Sequence, residues 1–153
     1  MTRILMVCRA NICRSPMAEV VMADLLARHQ LYDWQVDSAG THARVNAPAH
    51  ERTREVLRRH GHQRPPSVAR QLEWEDLQRF DVLLAMDRHN LSFVLRYQRG
   101  STAQISLLME AACAAGLTDD VTIHDPYPDG DYDLTYERIA QGCAAWLQAR
   151  LKR

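Results

Sequence analysis

Ile4-Leu5-Met6-Val7-Cys8-Arg9-Ala10-Asn11-Ile12-Cys13-Arg14-Ser15-Pro16 is the stretch that decides the fold. Its first four residues are apolar and partly β-branched, which fits a parallel strand buried on both faces. The run ends at Cys8. From Pro16 the segment Met-Ala-Glu-Val-Val-Met-Ala-Asp-Leu-Leu-Ala-Arg-His is rich in helix formers, with proline in the first turn and Ser15 as the expected cap. Strand, short loop and helix then follow in order, and Cys8 stands at the carboxyl end of the strand, where open α/β sheets bind their ligands.

The rest of the chain repeats the alternation. Trp34 to Asp37 reads as a second strand, closed by Ser38-Ala39-Gly40-Thr41. A helix is expected from Pro48 to just before Gly61, with Ala49, Thr53, Val56, Leu57 and His60 on one face. Arg52, Arg54, Arg58 and Arg59 take its other sides and, interspersed with Glu51 and Glu55, read as a solvated face and not as a nucleic-acid patch. Phe80 to Met86 is a third strand candidate, Asp87 is placed to cap a helix from Arg88 to Gln98, and Ile105 to Leu108 is a fourth strand. Tyr136, Ile139, Cys143, Trp146 and Leu147 mark a terminal amphipathic helix. The expected fold is a single α/β domain over residues 1–153: a four-stranded parallel sheet with helices on both faces, a Rossmann-like or flavodoxin-like three-layer arrangement.

Composition narrows the function classes. The 153 residues are 46% hydrophobic and 25% charged, enough to bury one ordinary core. Nineteen basic residues balance nineteen acidic ones, so no global field draws nucleic acid or an anionic membrane. Apolar runs such as Val82 to Met86 fall far short of the roughly 20 residues that span a bilayer. Met1-Thr2-Arg3 leads straight into the first strand, and four cysteines, Cys8, Cys13, Cys113 and Cys143, read as reduced thiols. The expectation is a cytoplasmic protein without membrane insertion, with Cys113 and Cys143 in the core.

Between Cys8 and Arg14 lie five residues. That length lets the loop curl so that successive backbone N–H groups face one tetrahedral anion, backed by the positive end of the following helix. The same field stabilises a thiolate, which makes Cys8 the expected nucleophile. Arg14 brings a planar fork that takes two phosphate oxygens together. No glycine lies between Cys8 and Ser15, so Asn11 is the residue expected at positive φ, its amide held by Ser15 and Ser38. Expulsion of an aryl oxide needs an acid, and Asp125, biased to extended backbone by Pro126, is the candidate; Tyr127 is the expected cleft wall.

These residues resemble the low-molecular-weight protein tyrosine phosphatase family. The resemblance rests on Val-Cys-x-x-Asn-Ile-Cys-Arg-Ser-Pro-Met-Ala-Glu at 7–19, Asp-Ser-Ala-Gly-Thr at 37–41, Ala-Arg-Gln at 69–71, Met-Asp at 86–87 and Asp-Pro-Tyr at 125–127. It implies hydrolysis of phosphotyrosine through a cysteinyl-phosphate, with Cys8 as nucleophile, Arg14 as clamp and Asp125 as general acid and base. No cofactor or metal is implied. Substrate binding is expected from Arg9, Ala10, Asn11, Ile12, Cys13, Ser15, Arg44 and Tyr127, with Asn11, Ser15 and Ser38 as the supporting network. Cys13 is implied as a redox partner of Cys8, against the simpler reading that it packs the loop. The implied partner is a phosphotyrosine-containing protein, a tyrosine kinase among the candidates, met by a monomer or weak homodimer.

Departures from the family pattern set further expectations. Ala10 replaces a usual loop glycine. Ser67 stands where relatives carry a histidine bonded into the asparagine network, so that network is expected to be looser or water-bridged. Arg9 and Arg44 are expected to make a basic mouth that favours acidic sequence around the phosphotyrosine, or a non-protein phosphate ester. Three alternatives share the loop. An arsenate reductase needs a second close cysteine pair, which Cys113 and Cys143 do not form in sequence; a protein-arginine phosphatase carries Thr in place of Ile12; and a non-catalytic phosphotyrosine-binding module would not need Cys8, Arg14 and Asp125 together.

Overall fold

Ile4, Leu5, Met6 and Val7 are wholly excluded from solvent, as a strand covered on both faces must be. The computed structural model describes residues 1–152. Strand β1 (Arg3–Cys8) leads through the loop to helix α1 (Arg14–Arg28), followed by β2 (Gln35–Gly40), α2 (Glu51–Arg59), α3 (Asp76–Arg79), β3 (Val82–Ala85), α4 (Arg88–Leu95), β4 (Gln104–Leu107), α5 (Glu110–Ala114) and α6 (Tyr132–Leu151). The sheet is parallel throughout, in the order β2-β1-β3-β4.

Alternation along β1 sorts the core into two layers. Ile4 and Met6 join Met17, Val20, Val21, Val56, Ile139 and Leu147 on the face covered by α1, α2 and α6. Leu5 and Val7 join Leu77 of α3 and Val94 of α4 on the other face. Each such side chain contributes about 1.5–3 kcal/mol when fully buried, so β1 is the anchor that fixes where its carboxyl end lies. Among the described residues no helix is long and apolar enough to cross a membrane.

Several boundaries differ from the sequence reading for identifiable reasons. The helix after the loop begins at Arg14 with Cys13 at its N-cap and no side-chain cap, so Ser15 does not cap it. The second strand continues through Gly40, because Ser38, Ala39 and Gly40 pair with Met6, Val7 and Cys8. Pro48 precedes α2, whose cap is His50, its Nδ1 accepting from the Arg52 N–H at 3.1 Å. Of the arginines on α2, Arg59 pairs with Asp133 at 2.9 Å and Arg52 lies over the Tyr132 ring, both tying the helix to α6. His60, expected on the apolar face, is exposed and stacks on Tyr136. The fourth helix stops at Leu95, three residues early, and α3 and α5 were not foreseen. Cys143 is fully buried as expected, while Cys113 is only partly covered.

Candidate active site

The loop from Arg9 to Cys13 is held from outside by its carbonyls. Cys8 O accepts from Thr41 N at 2.9 Å, Arg9 O from His42 N at 2.8 Å, Ala10 O from Arg44 N at 3.1 Å and Ile12 O from His50 N at 2.7 Å. With its carbonyls turned outward, the loop turns its donors the other way: among the described residues, no backbone N–H from Arg9 to Arg14 has a protein acceptor. Gly40 permits this approach, since a Cβ there would lie 2.6 Å from Arg9 O. Asn11 takes φ 58°, the left-handed conformation the glycine-free loop requires.

A backbone donor fixes the orientation of the Asn11 amide. Its Oδ1 accepts from the Arg70 N–H at 3.0 Å, and a backbone N–H can only donate. Nδ2 therefore faces the serines and donates to Ser15 Oγ at 2.7 Å and Ser38 Oγ at 3.0 Å. Each hydroxyl, having accepted, keeps its own hydrogen and a second lone pair for a further partner. Ser15 lies 2.9 Å from Cys8 Sγ, and Ser38 donates to Glu19 Oε1 at 2.6 Å. Ser15, expected as a helix cap, is instead the hydrogen-bond partner of the Cys8 sulfur, a contact in which either atom can donate.

Ser67 corrects another expectation. It reaches the network directly, donating to Glu19 Oε2 at 2.7 Å, so Glu19 links Ser67 to Ser38 without a bridging water. Burial pushes the Glu19 carboxyl above its usual range, while the bonds from Ser38 and Ser67 pull the other way. A raised folded-state value means that the native protein holds this proton more readily than the unfolded chain. Its stabilising contribution is complete below the unfolded value near 4.5 and is lost as pH rises through the folded one. Replacing Glu19 by Gln should therefore become relatively more favourable as pH rises. The expected result is a Tm difference, variant minus parent, that moves upward by a few degrees from pH 4 to pH 7.5. A difference that moves downward would mean that the ionised form gains more from its serines than burial costs.

Arg14 is 2% exposed and held from behind: Nη1 donates to Asp87 Oδ2 at 2.7 Å and to Ile123 O at 2.9 Å. Neither Nε nor Nη2 forms a protein hydrogen bond among the described residues, although Nη2 lies 3.7 Å from Asp125 Oδ2. Asp87 does two jobs, since its Oδ1 caps α4 by accepting from Asn90 N at 2.8 Å. The sequence reading found the cap and missed the arginine contact. The Asp125 side chain is 43% exposed and its Oδ1 accepts from Tyr127 N at 3.1 Å, a turn that presents the carboxyl from the loop before α6.

Cys8, Arg9, Ala10, Ile12, Cys13, Arg14, Arg44, Asp125 and Tyr127 line one cleft of about 360 Å³, with His42. Asn11, Ser15 and Ser38 are buried behind it. Cys13 is buried with its sulfur 3.4 Å from Tyr132 Oη, and burial pushes its thiol up to about 11. Arg44 does not extend freely at the mouth: its guanidinium packs 4.7 Å from the Tyr127 ring centroid. His42 and Asp87 are the site residues that sequence reasoning overlooked, although Met-Asp at 86–87 was among the motifs. A buried sulfur, a half-free guanidinium and unpartnered N–H groups converging on one cleft can bind and attack a tetrahedral anion.

This arrangement on a doubly wound parallel sheet defines a cysteine-loop phosphate site. Over residues 3–153 the sequence matches the model of the family described as low molecular weight phosphotyrosine protein phosphatase, and the chain belongs to that family. It is 38% identical to the low molecular weight protein-tyrosine-phosphatase YfkJ of Bacillus subtilis over 96% of this chain and 94% of that one. The crystal structure of YfkJ superposes with a TM-score of 0.91 at 35% identity, covering 99% of this chain and 96% of that one. The human low molecular weight phosphotyrosine protein phosphatase is 34% identical over 95% of this chain and 93% of its own. A drosophila arginine phosphatase, DARP, shares the fold with a TM-score of 0.86 and 30% identity, covering 98% of each chain.

Proposed function

We propose that this chain hydrolyses phosphotyrosine in proteins through a cysteinyl-phosphate on Cys8. The observation that carries the reading is the row of unpartnered N–H groups from Arg9 to Arg14 around a cleft that contains the Cys8 sulfur. The loop donors, with Nε and Nη2 of Arg14, hold the three non-bridging oxygens. The Cys8 thiolate attacks phosphorus and the bond to the tyrosyl oxygen breaks, while Asp125 gives its proton to that oxygen. Asp125, now ionised, takes a proton from water as the water displaces Cys8. The returning thiolate receives the Ser15 hydroxyl hydrogen bond. Tyr127, stiffened by Arg44, forms the wall against the substrate ring, and Ile12 supplies apolar contact.

Cys13, which lines the same cleft as Cys8, is the candidate to form a disulfide with an oxidised Cys8. The partner is a phosphotyrosine-bearing protein, tyrosine kinases included, met in the cytoplasm by a monomer or weak homodimer.

The test is turnover of matched phosphotyrosine and phosphoarginine peptides. We expect the phosphotyrosine peptide to be favoured at least about tenfold in kcat/KM. The reverse order would assign the arginine chemistry of DARP, and binding without turnover of either would leave a phosphate-binding module. Arg14→Lys should lower kcat on p-nitrophenyl phosphate by about 10², the effect of losing one transition-state donor. A lysine has one nitrogen where Arg14 uses Nη1 for Asp87 and Ile123 O and keeps Nε and Nη2 for the phosphate, and near-normal kcat would remove the fork from the mechanism.

A further inference from the structure

Beside the aryl cleft lies a second groove of about 440 Å³, lined by Arg9, Thr41, His42, His89, Phe93 and Arg96 among others. Arg9, Arg14, His42 and Asp125 border both spaces, so the groove opens from the catalytic loop itself. Its two acids are committed. Asp87 spends Oδ2 on Arg14 and Oδ1 on Asn90, while Asp125 spends Oδ1 on Tyr127 and turns Oδ2 to Arg14.

Its cations are not committed. Arg59, Arg64, Arg70 and Arg138 each meet a carboxylate, yet among the described residues neither Arg9 nor Arg96 has one within ion-pair distance. Both are exposed. Arg96 is placed by aromatic packing instead: its guanidinium lies 5.9 Å from the Phe93 centroid, and the His42 ring meets Phe93 edge-on at 5.4 Å. The result is a groove whose two exposed arginines have no carboxylate within ion-pair distance, its two acids being turned to Arg14 instead.

Resting on the phosphotyrosine reading, we propose that this groove is a substrate subsite for an aspartate or glutamate close to the phosphotyrosine in sequence. Because the groove borders the catalytic loop itself and an extended peptide covers about 3.3–3.6 Å per residue, the acidic residue is a near neighbour of the phosphorylated one. Arg96 and Arg9 receive its carboxylate while Phe93 supports its stem. The subsite lies on the α4 side of the loop, apart from Arg44, which packs on Tyr127 in the aryl cleft.

The experiment uses the full chain and three phosphotyrosine peptides of equal length, with Asp and Glu, with Ser, or with Lys at the flanking positions. Ratios of kcat/KM are read at low and at high salt, in the parent, in Arg96→Glu and in Arg58→Glu, which makes the same charge change on α2. The parent should favour the acidic over the neutral peptide about fivefold at low salt, mainly in KM, as two exposed ion pairs allow. High salt should shrink the ratio towards one. Arg96→Glu should abolish or invert the preference, and Arg58→Glu should keep it. If the neutral peptide is turned over without any preference for the acidic one, or if the preference survives Arg96→Glu, the subsite is wrong while the phosphotyrosine reading stands. If no phosphotyrosine peptide is turned over, that reading fails and the subsite fails with it.

Discussion

Cys8→Ser is expected to lower turnover of p-nitrophenyl phosphate by more than about 10⁴-fold while inorganic phosphate still binds within about threefold of the parent affinity. The two halves of this expectation come from different atoms. In the proposed mechanism phosphate is held by N–H groups whose positions depend on carbonyl bonds to Thr41, His42, Arg44 and His50, none of which involves the Cys8 sulfur. Turnover depends on the nucleophile, and the hydrogen-bond partner of that sulfur is the Ser15 hydroxyl, not a histidine or carboxylate. A serine at position 8 would have no base to take its proton, and a hydroxyl ionises far less readily than a thiol. Isothermal titration with phosphate separates this from collapse of the loop. Residual activity above about one part in 10³, in protein free of parent enzyme, would remove Cys8 from the nucleophile role.

What the sequence disclosed, and what it hid, follows from how locally each feature is encoded. The β1 strand was legible because all of its interior residues are apolar, and the parallel sheet followed from alternation with helices. Asn11 was legible because a tight loop without glycine has few residues able to adopt positive φ. Short α3 and α5, of four and five residues, are too brief for a 3.6-residue pattern to declare itself. Ser15 misled because serine before proline is a cap signal, whereas here the helix begins two residues earlier and frees the hydroxyl for sulfur.

Glu19 escaped notice because an acid in an amphipathic helix ordinarily faces water, and only the approach of Ser38 and Ser67 from other segments makes its 7% exposure tolerable. The Arg44 stack on Tyr127 and the Arg14 contact with Asp87 join residues far apart in the chain. Periodicity carries no trace of either. The same limit applies to the groove around Arg96, whose lack of a carboxylate within ion-pair distance of its exposed arginines becomes visible only when the positions of all carboxylates are known.

Asp125→Asn should slow kcat/KM by about 10² to 10⁴ on phenyl phosphate, the range expected for loss of a general acid, and by clearly less on p-nitrophenyl phosphate. The variant is suited to the question because it preserves the local turn: an asparagine Oδ1 can still accept from Tyr127 N, as Asp125 does at 3.1 Å. With the side chain 43% exposed, little buried packing is disturbed, and Tm should stay within about 2 °C of the parent. What changes is the proton. An amide cannot deliver one, so negative charge accumulates on the leaving oxygen and the cost rises with the basicity of that oxygen. Across a series of aryl phosphates, log kcat/KM against leaving-group pKa should be shallow for the parent and steep for Asp125→Asn. The 3.7 Å approach of Arg14 Nη2 to Asp125 Oδ2 offers a competing explanation, in which the carboxylate merely orients the guanidinium. That alternative predicts equal slowing for every leaving group, because the clamp holds the same oxygens in each substrate. Parallel lines in the plot would therefore assign Asp125 to positioning Arg14 and require another acid, whereas diverging lines make it the proton donor.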